Sequence, residues 1–488
     1  MSTRWSIVLG TLLSTVVVPA IVVVLASGLF ANPLAAAGPA DTRPLNIVFI
    51  LVDDLGWTDL GCQGSDFYET PHIDRLAAQG MRFRQAYSAC TVCSPSRAAV
   101  MTGKYPARLR VTDWIHGEVH PKARLRIPDW NHALPHEQVT VAQALAPAGY
   151  TSAAIGKWHL GDGPSHYPTT YGFDVNVAGF GAGSPSSYFS PYDMPTLADG
   201  PPGEYLTDRL ADEACRFVER HRDSPFFLYW PHYAVHDPLQ AKADQVERFR
   251  GKLRPGLRHD NPVYAAIIAS LDDAVGKLCD KLDELGIADQ TVVFFTSDNG
   301  GLINEPGVRV TSNTPLRAGK GSVYEGGVRV PLIVRWPGVA PPGSVCDEPV
   351  VSTDYYPTIL EITASKGDDE HNHTLDGRSL VPLLRDPRAT LDREAIYWHY
   401  PHYHGGGATP YGAVRAGDFR LVEFYEDQRV ELYNLREDVG EKHDLATELP
   451  DKASELRAML HTWRASVDAQ MPTSNPDFES PPMPGRSK

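Results

Sequence analysis

Cysteine is scarce: six residues, at 62, 90, 93, 215, 279 and 346, serve a chain of 488. So few and so scattered, they exclude a disulfide-built fold and a structural zinc site. Basic charge is also short. Against 60 acidic side chains stand 45 basic ones, and the formal net charge of -15 opposes attraction to nucleic-acid phosphates, so no nucleic-acid partner is expected. Internal repeats and low-complexity tracts are absent, which argues against a solenoid or a disordered scaffold. One long apolar run is present. It covers about 5–30, follows the single cation Arg4, and precedes Ala35-Ala36-Ala37 and the first acid, Asp41. Residues 1–37 read as an export segment, either removed as a signal peptide or retained as a membrane anchor, and the protein is expected in the periplasm or outside the cell. The first cysteine is Cys62, so a lipid anchor on this segment is excluded.

What remains has the composition of a folded enzyme, 42% hydrophobic and 22% charged. Its length suits a large domain, expected over 44–384, and a smaller one over 385–488. The runs 45–52 and 291–295 are nearly continuous and apolar, as buried parallel strands are, while 139–146 and 262–285 repeat at helical spacing. Strands alternating with helices predict an α/β layered sheet, mostly parallel, flanked by helices. Both apolar runs end abruptly in polar pairs, Asp53-Asp54 and Asp298-Asn299, where ligands gather beyond the carboxyl ends of such strands. Past about 384 the texture changes. Residues 412–435 alternate as an antiparallel meander does, and a helix capped by Asp451 should follow, with Leu456, Met459, Leu460 and Trp463 on its packed face. The polar stretch 366–374 reads as a loop.

The most specific segment is Cys93-Ser94-Pro95-Ser96-Arg97, continued by Ala98-Ala99-Val100-Met101-Thr102-Gly103. It matches the signature C-x-P-S-R with a trailing T-G, and on it the chain resembles the formylglycine-dependent sulfatases, arylsulfatase-like members of the alkaline-phosphatase superfamily. The resemblance implies that a maturation enzyme oxidises Cys93 to 3-oxoalanine (formylglycine). The hydrate of that residue presents one hydroxyl to attack sulfur and a second whose proton loss later expels sulfate. Residue 93 would also ligate the metal. Arg97, one helical turn on, is placed to hold the hydrate or an adjacent carboxylate.

Asp53, Asp54, Asp298 and Asn299 make a hard-oxygen set suited to Ca²⁺ or Mg²⁺ and poor for zinc, and the resemblance favours one calcium ion. Gly156-Lys157-Trp158-His159-Leu160-Gly161 matches a further family stretch, which makes Lys157 a sulfate ligand and His159 a contact to the nucleophile. Two apart on an extended segment, these side chains would point the same way. His236, in Ala234-Val235-His236-Asp237-Pro238, matches a family histidine at the leaving oxygen and is the candidate general acid, with His232 as its rival. Lys320, between Gly319 and Gly321, resembles the second sulfate-binding lysine. Ser184 lies in a glycine-rich stretch that aligns too loosely for a role.

The matched stretches run from 53 to 327, and together they imply an exported, calcium-dependent sulfate-ester hydrolase. Aryl sulfates are expected as artificial substrates, and a sulfated small molecule or glycan as the natural one. Two other readings compete with it: a formylglycine-dependent phosphodiester or phosphonate monoester hydrolase, and an inactive envelope glycan-binding protein. Trp114-Ile115-His116, Tyr188-Phe189 and Tyr400-Pro401-His402-Tyr403-His404 either line a sugar or aryl pocket or serve packing alone.

Overall fold

The computed structural model describes residues 44–478. The apolar run assigned to export lies outside these residues. In chain order the large sheet contains β1 (Asn46–Val52), β2 (Met81–Tyr87), β3 (Thr151–Ile155), β4 (Val175–Val177), β5 (Phe226–Pro231), β6 (Thr291–Ser297), β7 (Arg329–Arg335), β8 (Ser344–Cys346) and the short β9 (Val350–Val351). They form a 9-stranded sheet in the order β8-β2-β7-β6-β1-β5-β3-β4, with β9 also on β2. Pairing is parallel throughout except at β7, which runs antiparallel to both β6 and β2. The expected large, mixed and mostly parallel sheet is present.

β1 shows why the centre is rigid. All seven of its residues are buried. Val48, Ile50 and Val52 face one core, with residues of α2 (Leu206–Arg220) and α3 (Pro262–Glu284). Ile47, Phe49 and Leu51 face the other, with residues of α1 (Cys93–Thr102) and α4 (Tyr355–Ile362). A strand covered on both faces must be apolar without alternation.

A second, 4-stranded antiparallel sheet follows in sequence order: β10 (Ile396–Tyr400), β11 (Tyr411–Ala416), β12 (Phe419–Phe424) and β13 (Val430–Asn434). Trp398, Tyr400 and Tyr411 cluster with Tyr87 and Val328 of the large sheet's region, and Trp398 Nε1 donates to Ser88 O at 2.9 Å. On the other face lies α5 (Pro450–Ser466), whose Leu456, Leu460 and Trp463 cluster with Val414, Leu421 and Leu432.

Three local expectations are corrected. Asp451 is not the cap of α5; it sits in the first turn after Pro450, and Leu449 at the cap position makes no side-chain bond. Residues 366–374 contain the helical turn Asp369–Asn372, because the Asp368 carboxylate accepts the His371 N–H and caps it. The helix expected over 139–146 is confined to Val141–Leu145, its start set by a Thr140–Gln143 capping box and its end tightening into a 3-10 turn over Ala146–Ala148. Among the described residues all six cysteines are free thiols.

Gly156, which carries the chain from β3 into the Lys157 stretch, has φ +126, and a Cβ there would lie 1.8 Å from the Pro231 carbonyl oxygen. Only glycine lets the two strand ends approach so closely. Gly156→Ala is expected to cost about 3 kcal/mol or more, combining left-handed strain with overpacking. Urea unfolding should show a lower midpoint at unchanged slope; an unchanged midpoint would mean that the two segments separate freely.

Candidate active site

Adjacent parallel strands deliver the site. Val52 of β1 pairs with Ser297 of β6, so Asp53-Asp54 and Asp298-Asn299 leave the sheet side by side. Beyond β5 the chain keeps following β1, with His232 N–H on Leu51 O and Val235 N–H on Asp53 O, both at 2.8 Å, and so brings His236 to the same edge. Lys157 N–H donates to Pro231 O at 2.8 Å and draws the β3 end alongside. α1 begins at Cys93 and ends at Gly103, whose φ of 70 permits its N–H to close on Ala99 O. That explains the trailing Thr-Gly of the motif.

Beneath the cavity floor lies a cluster of buried charges. Arg97 Nε and Nη2 reach Asp298 Oδ2 at 2.9 and 2.7 Å, and Nη1 donates to Lys157 O at 3.0 Å. Lys157 Nζ meets Asp53 Oδ2 at 2.7 Å and Lys320 Nζ meets Asp54 Oδ2 at 2.8 Å. Asn299 Nδ2 donates to Asp54 Oδ1 at 2.8 Å. The Asp53, Arg97, Lys157 and Asp298 side chains are wholly buried. Burial pushes the Asp53 carboxyl up to about 7 in spite of Lys157, whereas Asp54, against the same burial, is held at about 2 by Lys320 and His236.

Two oxygens in this cluster are left over. Asp53 Oδ1 and Asn299 Oδ1 are buried without a hydrogen-bond partner. An unmatched buried acceptor is costly, and two of them beside three mutually repelling carboxylates fit a hard cation. Asp53, Asp54 and His236 also bring ligand atoms within 4.8 Å of one another.

Above the cluster is a cavity of about 300 Å³ whose floor carries Cys93, His159, His236 and Lys320. His159 Nδ1 lies 3.3 Å from Cys93 Sγ, and its Nε2 lies 2.5 Å from Ile115 O. A carbonyl only accepts, so Nε2 carries the hydrogen and Nδ1 turns a lone pair toward residue 93. Burial, with Lys157 nearby, keeps this imidazole neutral by lowering it well below the usual histidine range. His236 Nδ1 pairs with Asp237 Oδ1 at 2.6 Å, and Nε2 lies 2.9 Å from Lys320 Nζ. Burial and Lys320 both push His236 down, but Asp54, Asp53 and Asp237 outweigh them and lift it to about 9.

The structure brings Cys93, Arg97, His159, His236, Lys157, Lys320, Asp53, Asp54, Asp298 and Asn299 to one place. Lys157 and His159 serve one site, though not through an extended segment: His159 has φ 58, so Lys157 turns under the floor while His159 reaches residue 93 from the side. His232 is fully buried against Trp230, lowered by burial to about 3, and its ring nitrogens have no partner. Of the aromatic stretches, Trp114, Ile115 and His404 line the cavity, while Tyr188 supports it from behind, its hydroxyl donating to Tyr233 O and His236 O at 2.6 and 2.9 Å. Ser184, Glu118, Asp237 and Glu305 also line it. Asp237 was visible beside His236; Glu118 and Glu305 stand in loops with no motif around them.

Cys93 beside His159, set over carboxylates and lysines at the strand ends of this mixed sheet, is the setting in which the comparisons place the chain among the alkaline-phosphatase-like hydrolases of anionic esters. Residues 45–365 match the Sulfatase family model, and 319–468 match that of the N-sulphoglucosamine sulphohydrolase C-terminal region. A sulfatase of Formosa agariphila is 33% identical over 89% of this chain and 92% of its own. N-acetylgalactosamine-6-sulfatase of Mus musculus is 35% identical over 75% of this chain and 70% of its own. The crystal structure of Ps i-CgsB in complex with k-i-k-neocarrahexaose is 30% identical, with a TM-score of 0.73 over 90% of this chain and 96% of that one. The chain belongs to the sulfatase family and is a sulfuric ester hydrolase.

Removing Arg97 would leave Asp53 and Asp298 buried without their guanidinium. Arg97→Met is expected to destabilise by about 3–5 kcal/mol, and Arg97→Lys to recover little, since a lysine cannot span Asp298 and the Lys157 carbonyl together. Urea unfolding in chelator tests both; full stability of the lysine variant would show that charge alone suffices.

Proposed function

We propose that the protein removes sulfate from sulfated carbohydrates, using formylglycine made from Cys93 and one calcium ion. The observation that carries this reading is the convergence of Cys93, a neutral His159 aimed at it, and two lysines, Lys320 lining the cavity and Lys157 buried beneath its floor. Cys93 Sγ stands where a hydroxyl oxygen of the formylglycine hydrate would be, and that hydrate supplies both the attacking oxygen and, through its second hydroxyl, the means of expelling sulfate. Asp53, Asp54, Asp298, Asn299 and residue 93 would hold the calcium, which supplies Lewis-acid polarisation when bound; magnesium suits the donor set less well, since it demands a tighter octahedron.

The chain's own residues do the rest. His159 Nδ1 accepts a proton from residue 93, and the Ile115 carbonyl keeps the ring in the tautomer that can. Lys157 and Lys320 balance the sulfate charge from below and beside it. His236 faces the leaving oxygen. Lifted to about 9, His236 is protonated at neutral pH: Nδ1–H donates to Asp237, and the Nε2 proton is the one that a leaving oxygen entering beside Lys320 receives. Asp237 and the Tyr188 hydroxyl fix its orientation.

A carbohydrate substrate is supported by the relatives, one named for N-acetylgalactosamine 6-sulfate chemistry and one bound to a neocarrahexaose. Export by the apolar N-terminal run and maturation by a formylglycine-generating enzyme belong to the same reading.

Peptide mass analysis spanning residue 93 should find formylglycine in protein from a host with the maturation enzyme, and Cys93→Ala should release no sulfate while melting normally; retained turnover would remove residue 93 from the mechanism. His236→Ala should lower kcat on sugar sulfates by about 10²–10⁴. It should lower kcat far less on aryl sulfates, whose leaving groups need no proton; equal losses on both would assign His236 to binding. Calcium at about 100 times its Kd should stabilise the protein by about 2.7 kcal/mol in thermal unfolding. Asn299→Ala should shrink that gain; an Asn299→Ala shift equal to wild type would exclude this ligand set.

A further inference from the structure

Around the floor, the cavity wall is acidic. Glu118, Asp237 and Glu305 line it, and among the described lining residues Lys320 is the one lysine or arginine. Lys320 is already committed to Asp54 at 2.8 Å and stands 2.9 Å from His236 Nε2. His404, the remaining wall histidine, is lowered by burial and so is neutral at pH 7. Glu118 is held in place, its Oε1 accepting from Gly405 N–H and its Oε2 meeting His120 Nε2, each at 3.0 Å. Burial and then Asp237 raise Glu305, which places repulsion between acids at the wall before any substrate arrives.

The adjoining cavity, which shares Trp114, Ile115 and Gly183 with the first, brings no lysine or arginine either; its charged pair is His116 with Asp162 at 2.9 Å. A substrate extending over Trp114 therefore meets aromatic surface and carboxylates. Carboxylates accept hydrogen bonds from sugar hydroxyls and repel a second sulfate or a carboxylate.

Resting on the carbohydrate-sulfatase reading above, we infer that this pocket selects sulfate esters whose other substituents are uncharged, with Glu118 and Glu305 rejecting a second anion. The sulfate itself is received by the floor, where Lys157 and Lys320 stand; everything attached to it must occupy a wall of opposite character. Isolated sulfates on neutral sugars are the substrate class, and densely sulfated or uronate-bearing glycans are excluded.

Matched pairs test this. One set is monosulfated sugars, each against its disulfated counterpart carrying the same sulfate; the other is 4-(methoxycarbonyl)phenyl sulfate against 4-carboxyphenyl sulfate. The neutral member of each cleaved pair should have kcat/KM higher by about ten-fold or more at low salt, as for a unit charge a few ångströms from another at intermediate dielectric. Added sodium chloride should narrow the gap by screening. Glu305→Gln and Glu118→Gln should each narrow it by about three-fold or more, chiefly through KM of the charged member. Using two variants guards against misfolding of one. Equal or faster release from the charged members overturns the inference, as does a gap that neither variant nor salt changes. Absence of release from every ester, neutral or charged, overturns instead the hydrolytic reading beneath it.

Discussion

The catalytic end of the molecule depends on the fully buried contact between Arg97 and Asp298. Three carboxylates, Asp53, Asp54 and Asp298, are held beyond the strand ends, and each would cost several kcal/mol to strip of water alone. Three cations answer them: Arg97 beneath Asp298 and Asp53, Lys157 on Asp53, and Lys320 on Asp54. The balance has a geometric consequence. Arg97 lies one turn into the helix that starts at Cys93, so the ion pair that neutralises the β6 end also fixes where residue 93 sits. The Arg97 bond to the Lys157 carbonyl ties the third segment to the same point. Charge compensation and the placement of residue 93 are therefore one constraint.

The same cluster resolves how an acidic protein receives an anion. The chain's net charge of -15 is carried by the surface and by the cavity wall, while cations are gathered under the floor. Partners in the protein already occupy one oxygen of Asp53 and both of Asp54, so the lysines are held ready without being buried unpaired. Asp53 Oδ1 and Asn299 Oδ1 remain open, and they are the acceptors a dication would satisfy. Glu118, Asp237 and Glu305 line the cavity above these cations.

Legibility from sequence followed chain continuity. Where chemistry sits on consecutive residues, as in 93–103, 156–161 and 298–301, the assignment of candidates could be made directly. The meeting of Asp53-Asp54 with Asp298-Asn299 was also inferable, because both follow apolar strands whose carboxyl ends gather ligands. Other features arise only from tertiary placement. Nothing around Glu118 or Glu305 distinguishes them from solvated loop acids. His232 and His236 could not be separated by spacing; the course of residues 232–236 along β1 buries one and turns the other into the cavity. Lys157 and His159 reach one site, but through a left-handed His159 that no alternation rule describes. The domain-sized details of α5 and 366–374 failed on cap choice, where Pro450 and Asp368 set the start instead.

One loop joins two properties that a reaction scheme would treat separately. The Ile115 carbonyl decides which nitrogen of His159 is free to take a proton, and three residues later the same loop supplies Glu118 to the cavity wall, with Trp114 between the two adjoining cavities. Ile115 N–H in turn donates to Ser94 Oγ at 3.1 Å, within the nucleophile's own motif. His159, the Cys93 segment and the cavity wall are thus registered to each other through a few backbone bonds rather than through long side chains. A change that moves this loop at Trp114 therefore also moves the carbonyl that orients His159, so cavity wall and imidazole cannot be displaced independently at this edge of the site.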